Sequence, residues 1–175
     1  MPTDPKSPSA ALLASLTHLM TNWASTRTQA AVAEAAGVEM DPIDLPPLYV
    51  LGLLGPSRAG DLAAAMHVTR PTMSKQLARL ERAGLIERHV DSTDGRVTII
   101  DLSSSGAAAH ELLVARGVEM LDEAIADWDD ADAARFATQL SRFVDALSTS
   151  TDPAVHTPVD ATMRPSQRPR NGGTP

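Results

Sequence analysis

The amino-acid sequence predicts a mainly α-helical fold with one small β-hairpin, and three observations carry that prediction. Apolar residues recur at helical spacing through most of the chain. Two β-prone runs, Ile86–Val90 and Val97–Leu102, flank the polar turn Asp91-Ser-Thr-Asp-Gly-Arg96, and an Asp-Gly pair between such runs is a strong hairpin signal. Two short helical patterns stand directly before the hairpin, so residues 57–103 read as helix, turn, helix, hairpin. That order is a winged helix-turn-helix.

Taken in order, residues 1–9 are rich in Pro, Ser and Thr and are expected to be disordered. A helix is expected over about Ala10–Ala36, with Leu12, Leu16, Leu19 and Trp23 as its apolar stripe and Gly37 as its stop. Such a stripe is ordinarily core; Trp23 is also a candidate to line a small-molecule cavity. His18 reads as a polar flank residue, because no second ligand stands at metal-binding spacing. Asp41–Pro47, with three prolines, predicts a turn leading into a short helix that Gly55-Pro56 ends near Leu54.

The segment Arg70–Ala83 carries the functional argument. Met73, Leu77 and Leu80 recur at i, i+4, i+7 and share one face of a helix. Lys75, Arg79 and Arg82 repeat that spacing two residues later, with Thr72 and Ala78 beside them, so one side packs while the other presents cations, a hydroxyl and a methyl group. Arg can bond guanine in bidentate fashion, Thr and Ala methyls can meet a thymine methyl, and Lys suits phosphate. Thr69 is a candidate N-cap, Pro71 in the first turn loses no helical hydrogen bond, and Gly84 stands where a helix stop is wanted. A surface helix commonly shows Lys and Arg as a merely solvated face; the hairpin behind this one gives the cations a use. Arg96, at its tip, can enter a minor groove, whose negative potential attracts guanidinium. Asp94 can hold the turn by accepting backbone N–H bonds, or can orient Arg96.

After Leu102, Ser103 or Ser104 can cap a long helix over about 104–127, and a last helix over about 131–147 shows Phe136, Leu140, Phe143, Val144 and Leu147 on one face. His110-Glu111 begins like a zinc-protease signature, but Val114 stands where the second histidine must be. The acidic cluster Asp127–Asp132 lacks the Gly and terminal Glu of a calcium loop and is expected to cap the next helix. Residues 148–175, rich in Pro, Thr, Ser and Arg, read as a disordered tail.

The chain has 175 residues and is expected to hold one domain, 10–147. It has no cysteine, which excludes disulfides, thiolate metal sites and thiol redox sensing. No signal pattern opens the chain and no apolar run approaches the ~20 residues needed to span a bilayer, so a cytoplasmic protein that does not enter membranes is expected. The net charge of −7 argues at first against a nucleic-acid partner, but its distribution reverses the reading. Residues 58–100 carry 7 basic and 5 acidic groups, whereas residues 101–147 carry 3 basic and 10 acidic ones. With a Debye length of about 8 Å in physiological salt, a distant acidic half hardly cancels a basic reading face.

The runs Gly60-Asp-Leu-Ala, Thr69-Arg-Pro-Thr-Met-Ser-Lys and Leu80-Glu-Arg-Ala-Gly-Leu-Ile-Glu-Arg88, followed by Asp94-Gly-Arg96, Leu102-Ser103 and Gly106, resemble the multiple-antibiotic-resistance regulator (MarR) family. The resemblance is close over the winged-helix segment and loose over the flanking helices. It departs at His67, in the turn where Gly or Asn is more usual, and at the wing tip, which carries Arg96 alone where many members have further Arg residues. The resemblance implies a winged helix over 45–103 and dimerisation helices over 10–36 and 104–147, with roughly 2,000 Å² or more buried between the two copies of a homodimer. It also implies a sequence-specific transcriptional regulator, a repressor of a pseudo-palindromic operator released by a small molecule bound between the dimer helices and the winged helix. The residues expected to meet double-stranded DNA are Arg70, Thr72, Ser74, Lys75 and Arg79 at the major groove, with Arg96, set by Asp94, at the minor groove. No cofactor is expected. The sequence shows no nucleophile–base pair, paired carboxylates, phosphate-cradling loop or metal cluster, so an enzyme is not expected. A winged helix that binds protein and a metal-responsive repressor are the alternatives. The basic outer face weakens the first, and the missing cysteines and scattered histidines weaken the second.

Overall fold

A computed structural model describes residues 7–151. They fall into two compact units, one reaching Ala124 and the other beginning at Ile125.

The first unit opens with α1 (Pro8–Trp23) and α2 (Thr26–Ala35). The single helix expected over Ala10–Ala36 is therefore two. Ser25 is the cause: it is extended (φ −72°, ψ 132°), and its Oγ accepts the Thr28 N–H at 3.1 Å, capping α2 and ending continuity with α1. A 3₁₀ turn (Pro42–Asp44) leads into α3 (Leu45–Leu54), which starts inside the segment expected to be turn. Pro46 and Pro47 fit there because N–H groups in a first turn have no helical acceptor. The winged helix follows as β1 (Ser57–Arg58), α4 (Ala59–Ala65), α5 (Arg70–Arg82), β2 (Ile86–Val90) and β3 (Thr98–Leu102), with α6 (Ser104–Ala124) behind it.

Three helices of this unit end alike. After α2, α4 and α5, the residue at the stop is left-handed: Gly37 (φ 68°), His67 (φ 51°) and Gly84 (φ 72°). In each case the next N–H reaches back to the last turn, from Val38 to Ala33, Val68 to Ala63 and Leu85 to Leu80, at 2.9–3.0 Å. His67 thus does a glycine's work at the turn of the helix-turn-helix, in a conformation that costs a residue with a Cβ about 1 kcal/mol.

The sheet has the order β1-β3-β2, all antiparallel, with Ser57 facing Ile100 and Arg88 facing the same residue from the other side. The hairpin is the expected one; β1, only two residues long, is an addition that no periodicity announces. The core gathers Leu48 and Leu51 of α3, Leu62 of α4, Met73, Leu77 and Leu80 of α5, Ile100 of β3 and Leu113 of α6, each at most 1% exposed. Burying each such side chain contributes about 1.5–3 kcal/mol. Gly106 is held against the end of α5: a Cβ there would sit 1.8 Å from the Leu85 carbonyl oxygen. Ser103 caps α6, its Oγ accepting the Gly106 N–H at 3.0 Å, and both Ser103 and Ser105 donate to the Gly84 carbonyl, at 2.5 and 2.6 Å. The start of α6 is thereby fastened to the end of α5.

Not one residue of α1 is buried; Leu12, Leu19 and Trp23 of its stripe are all exposed. The second unit contains α7 (Asp130–Thr151), which runs past the expected end at 147. Asp129 caps it, accepting the Asp132 N–H at 2.7 Å, as expected of that acidic cluster. Trp128 and Phe136 meet edge to face, 5.3 Å between centroids, while Phe136, Leu140, Val144 and Leu147 are exposed. Of the two stretches expected to be disordered, 1–9 and 148–175, residues 8 and 9 open α1 and residues 148–151 continue α7; the rest of both stretches falls outside the described residues.

Candidate nucleic-acid interface

The amphipathic design of α5 sets up the site. Met73, Leu77 and Leu80 are buried, while Arg70, Thr72, Ser74, Lys75 and Ala78 are exposed on the other side. Thr69 caps the helix as expected, its Oγ1 accepting the Thr72 N–H at 3.3 Å. The Thr72 hydroxyl lies 2.9 Å from that of Thr69, so it is already partly engaged in the cap. Arg70 and Lys75 have no side-chain hydrogen bond or ion pair among the described residues. The N-terminal half of α5 therefore presents two uncommitted cations beside two hydroxyls.

The C-terminal half differs. Arg79 lies on the face expected to be outward, but its guanidinium is engaged by Asp44 from the 3₁₀ turn. Nε donates to both carboxylate oxygens (2.9 and 3.2 Å) and Nη2 donates to Oδ1 at 2.6 Å. The Arg79 side chain is 31% exposed and that of Asp44 only 7%; the bond to Asp44 raises the already high pKa of the guanidinium. Arg79, expected at the major groove with Lys75, is thus paired within the chain, whereas Lys75 has no such partner among the described residues. Arg82 folds onto its own helix, Nε donating to the Ala78 carbonyl at 3.1 Å, and Arg88 pairs with Glu81 at 2.9 Å.

The wing is a short polar turn held by two aspartates. Asp94 Oδ1 accepts the Arg96 N–H at 3.0 Å, which positions the backbone from which the Arg96 side chain springs. Asp91 is the residue the sequence reading passed over. Its Oδ1 accepts the N–H groups of Thr93 (2.8 Å) and Asp94 (3.1 Å) as well as the Thr93 hydroxyl. The Thr93 hydroxyl, followed by those N–H groups, holds the Asp91 carboxyl below the usual carboxylate range. An Asp at the start of a hairpin turn, two and three residues before the groups it binds, is a legible signal for this. The Arg96 side chain is exposed and unpaired among the described residues. Trp23, the candidate cavity residue, lies at the C-terminal end of α1 and is 47% exposed. No group of three or more His, Asp or Glu among the described residues is placed to hold a metal ion, and no helix there is long and apolar enough to cross a membrane.

Residues 40–97, which span α3 to the wing tip, match the family model described as MarR family. Over that stretch the chain is similar to the winged helix of the MarR family. It is 28% identical over 95 residues to the uncharacterized HTH-type transcriptional regulator YxaD of Bacillus subtilis (strain 168), a match covering 54% of this chain and 66% of YxaD, just under two thirds of its length. A solved MarR family protein from Bacillus stearothermophilus superposes with a TM-score of 0.71 at 19% identity, over 84% of this chain and 99% of that one. Streptococcus pneumoniae FabT, solved in complex with DNA, superposes at 0.60 and 18% identity, over 85% of this chain and all of FabT. At these identities the likeness is one of fold, and it extends beyond the winged helix to the flanking helices.

Proposed function

We propose that this chain is a sequence-specific DNA-binding transcriptional regulator. The observation that carries the reading is the exposed N-terminal half of α5, where Arg70, Ser74 and Lys75 stand uncommitted beside Thr72, next to a hairpin that presents Arg96. In helix-turn-helix proteins it is the N-terminal part of the second helix that meets base edges. Arg70 and Lys75 supply guanidinium and ammonium there, Thr72 and Ser74 supply hydroxyls, and Arg96, backed by Asp94, supplies a minor-groove guanidinium. FabT, of the same fold, has been solved with DNA bound, which supports the reading.

The chain acts as a homodimer in this proposal. Leu12, Leu19, Met20 and Trp23 of α1 are exposed, and so, in the other unit, are Phe136, Leu140, Val144 and Leu147 of α7. A second copy would cover such surfaces. Two reading heads related by a two-fold axis read a pseudo-palindrome with half-sites about one helical turn apart. Repression relieved by a small molecule, with Trp23 as a candidate lining residue, completes the reading: the ligand favours a spacing of the two heads that DNA does not accept. The test is a binding titration of the full chain against duplex DNA across a salt series. The logarithm of the binding constant should fall linearly with the logarithm of salt concentration, and salt-insensitive association with protein partners alone would favour the protein-binding alternative.

A further inference from the structure

We infer that Asp44 and Arg79 form a clamp that sets the orientation of α5, so that Arg79 is a positioning residue and not a DNA contact. The inference rests on the DNA-binding reading for its functional meaning, and on geometry for the clamp itself.

Three observations lead to it. Asp44 is the one buried charged residue among those described, 5% exposed. A carboxylate is buried only when it is paired and hydrogen-bonded, and this one has Arg79 as its side-chain partner. Second, Asp44 stands at the N-cap of α3, where an Asp would ordinarily bond the helix's first N–H groups, yet its side chain makes no cap bond. The carboxylate is turned away from that role and toward α5, although the positive end of α3 still favours its charge. Third, the contact is bidentate, a fork that fixes direction as well as distance, and it joins residues 35 positions apart in the chain.

The clamp has a mechanical sense. Arg79 lies in the last turn of α5, and the 3₁₀ turn carrying Asp44 sits between α2 and α3. The end of the reading helix is thus held from one side by Asp44 and from another by Ser103 and Ser105 on the Gly84 carbonyl. Fixing that end sets where Arg70 and Lys75, three and two turns away, meet a groove. It also leaves the duplex to the N-terminal half, because the Arg79 charge is matched within the protein.

The sign of one substitution separates the two roles. If Arg79 met phosphate or a base, Asp44 would be a competitor for it, and Asp44→Asn would strengthen DNA binding. A clamp predicts the reverse: Asp44→Asn weakens binding at least about tenfold (about 1.4 kcal/mol) with an unchanged order of preferred bases and an unchanged salt slope. Arg79→Lys keeps the charge but loses the fork, so it should show the same loss, and the double variant should lose no more than either alone. Stronger or equal binding by Asp44→Asn, or a relaxed base preference in Arg79→Lys, would overturn the clamp. Amide hydrogen exchange on the DNA-free chain gives a second reading. Either variant should speed exchange in the last two turns of α5 relative to β2 and β3, and unchanged protection would overturn the clamp. Should Asp44→Asn fail to fold, Arg79→Lys answers both questions. If the unaltered chain binds no duplex, the DNA-binding reading falls while hydrogen exchange still decides the clamp.

Discussion

The two halves of α5 both carry cations and treat them differently. In the first half Arg70 and Lys75 are exposed, without an ion pair among the described residues. In the second half and just beyond it, Arg79 is forked onto Asp44, Arg82 folds back on Ala78, and Arg88 meets Glu81. A cation at helical spacing is thus not a function; what decides its role is whether a carboxylate or carbonyl of the same chain has already claimed it. The division concentrates free positive charge at the end of α5 nearest its cap.

Substitutions on either side of that division should separate stability from binding. The largest effect is expected for Arg79→Ala, which leaves Asp44 buried and unpaired. A loss of about 3 kcal/mol in unfolding free energy, the lower end for a broken buried pair because Arg79 is partly exposed, would be read in a denaturant melt. Stability unchanged within about 0.5 kcal/mol, the usual range for a surface residue, would erase the contrast between the halves. Lys75→Ala should do the opposite: stability within that margin, but weaker DNA binding and a salt slope reduced by about 1. Arg96→Ala should likewise spare the fold and weaken binding, with a flatter salt dependence; an unaltered slope would remove the wing from the contact surface. A smaller change, about 1 kcal/mol of stability, is expected from Thr69→Ala, which removes the cap that organises the free half.

His110 of α6 packs edge-on to Tyr49 of α3, 5.8 Å between centroids, and lies over Gly52, where a Cβ would come within 2.2 Å of its Nε2. Burial lowers its pKa below the ordinary 6.5, although Glu111 pulls the other way. The folded state therefore holds the neutral ring, and the unfolded chain binds a proton first as pH falls. Its contribution is complete above about pH 6.5 and declines below it as the unfolded chain protonates. The thermal midpoint of the unaltered chain should drop more between pH 7 and 5 than that of His110→Gln. Parallel curves would show that this ring does not respond to acid.

Much of this architecture is legible in the sequence because it is local. The spacing of Met73, Leu77 and Leu80, the Thr69 cap and the Asp94-Gly95 turn each report on neighbours a few residues away, and the structure follows them. Ser25 is equally local, but a serine at that position is compatible with a helix interior as well as with a cap, so the sequence alone does not divide α1 from α2. Asp44 is different in kind. In its own stretch, Pro42-Ile-Asp-Leu-Pro-Pro, it looks like an ordinary cap, and nothing there points to a guanidinium 35 residues later. Long-range pairing of this sort depends on how α3 and α5 cross, which no periodicity encodes. The third strand, two residues paired to β3, is invisible for the same reason.

Under the proposed function, the exposed half of α5 and the wing together read a duplex in two symmetric copies. Selecting the DNA that the full chain retains from a random-sequence pool tests it most directly. Enrichment of an inverted repeat with half-sites about one helical turn apart is expected, lost when Arg70 and Lys75 are both replaced by Ala. A pool that emerges without sequence preference would contradict it.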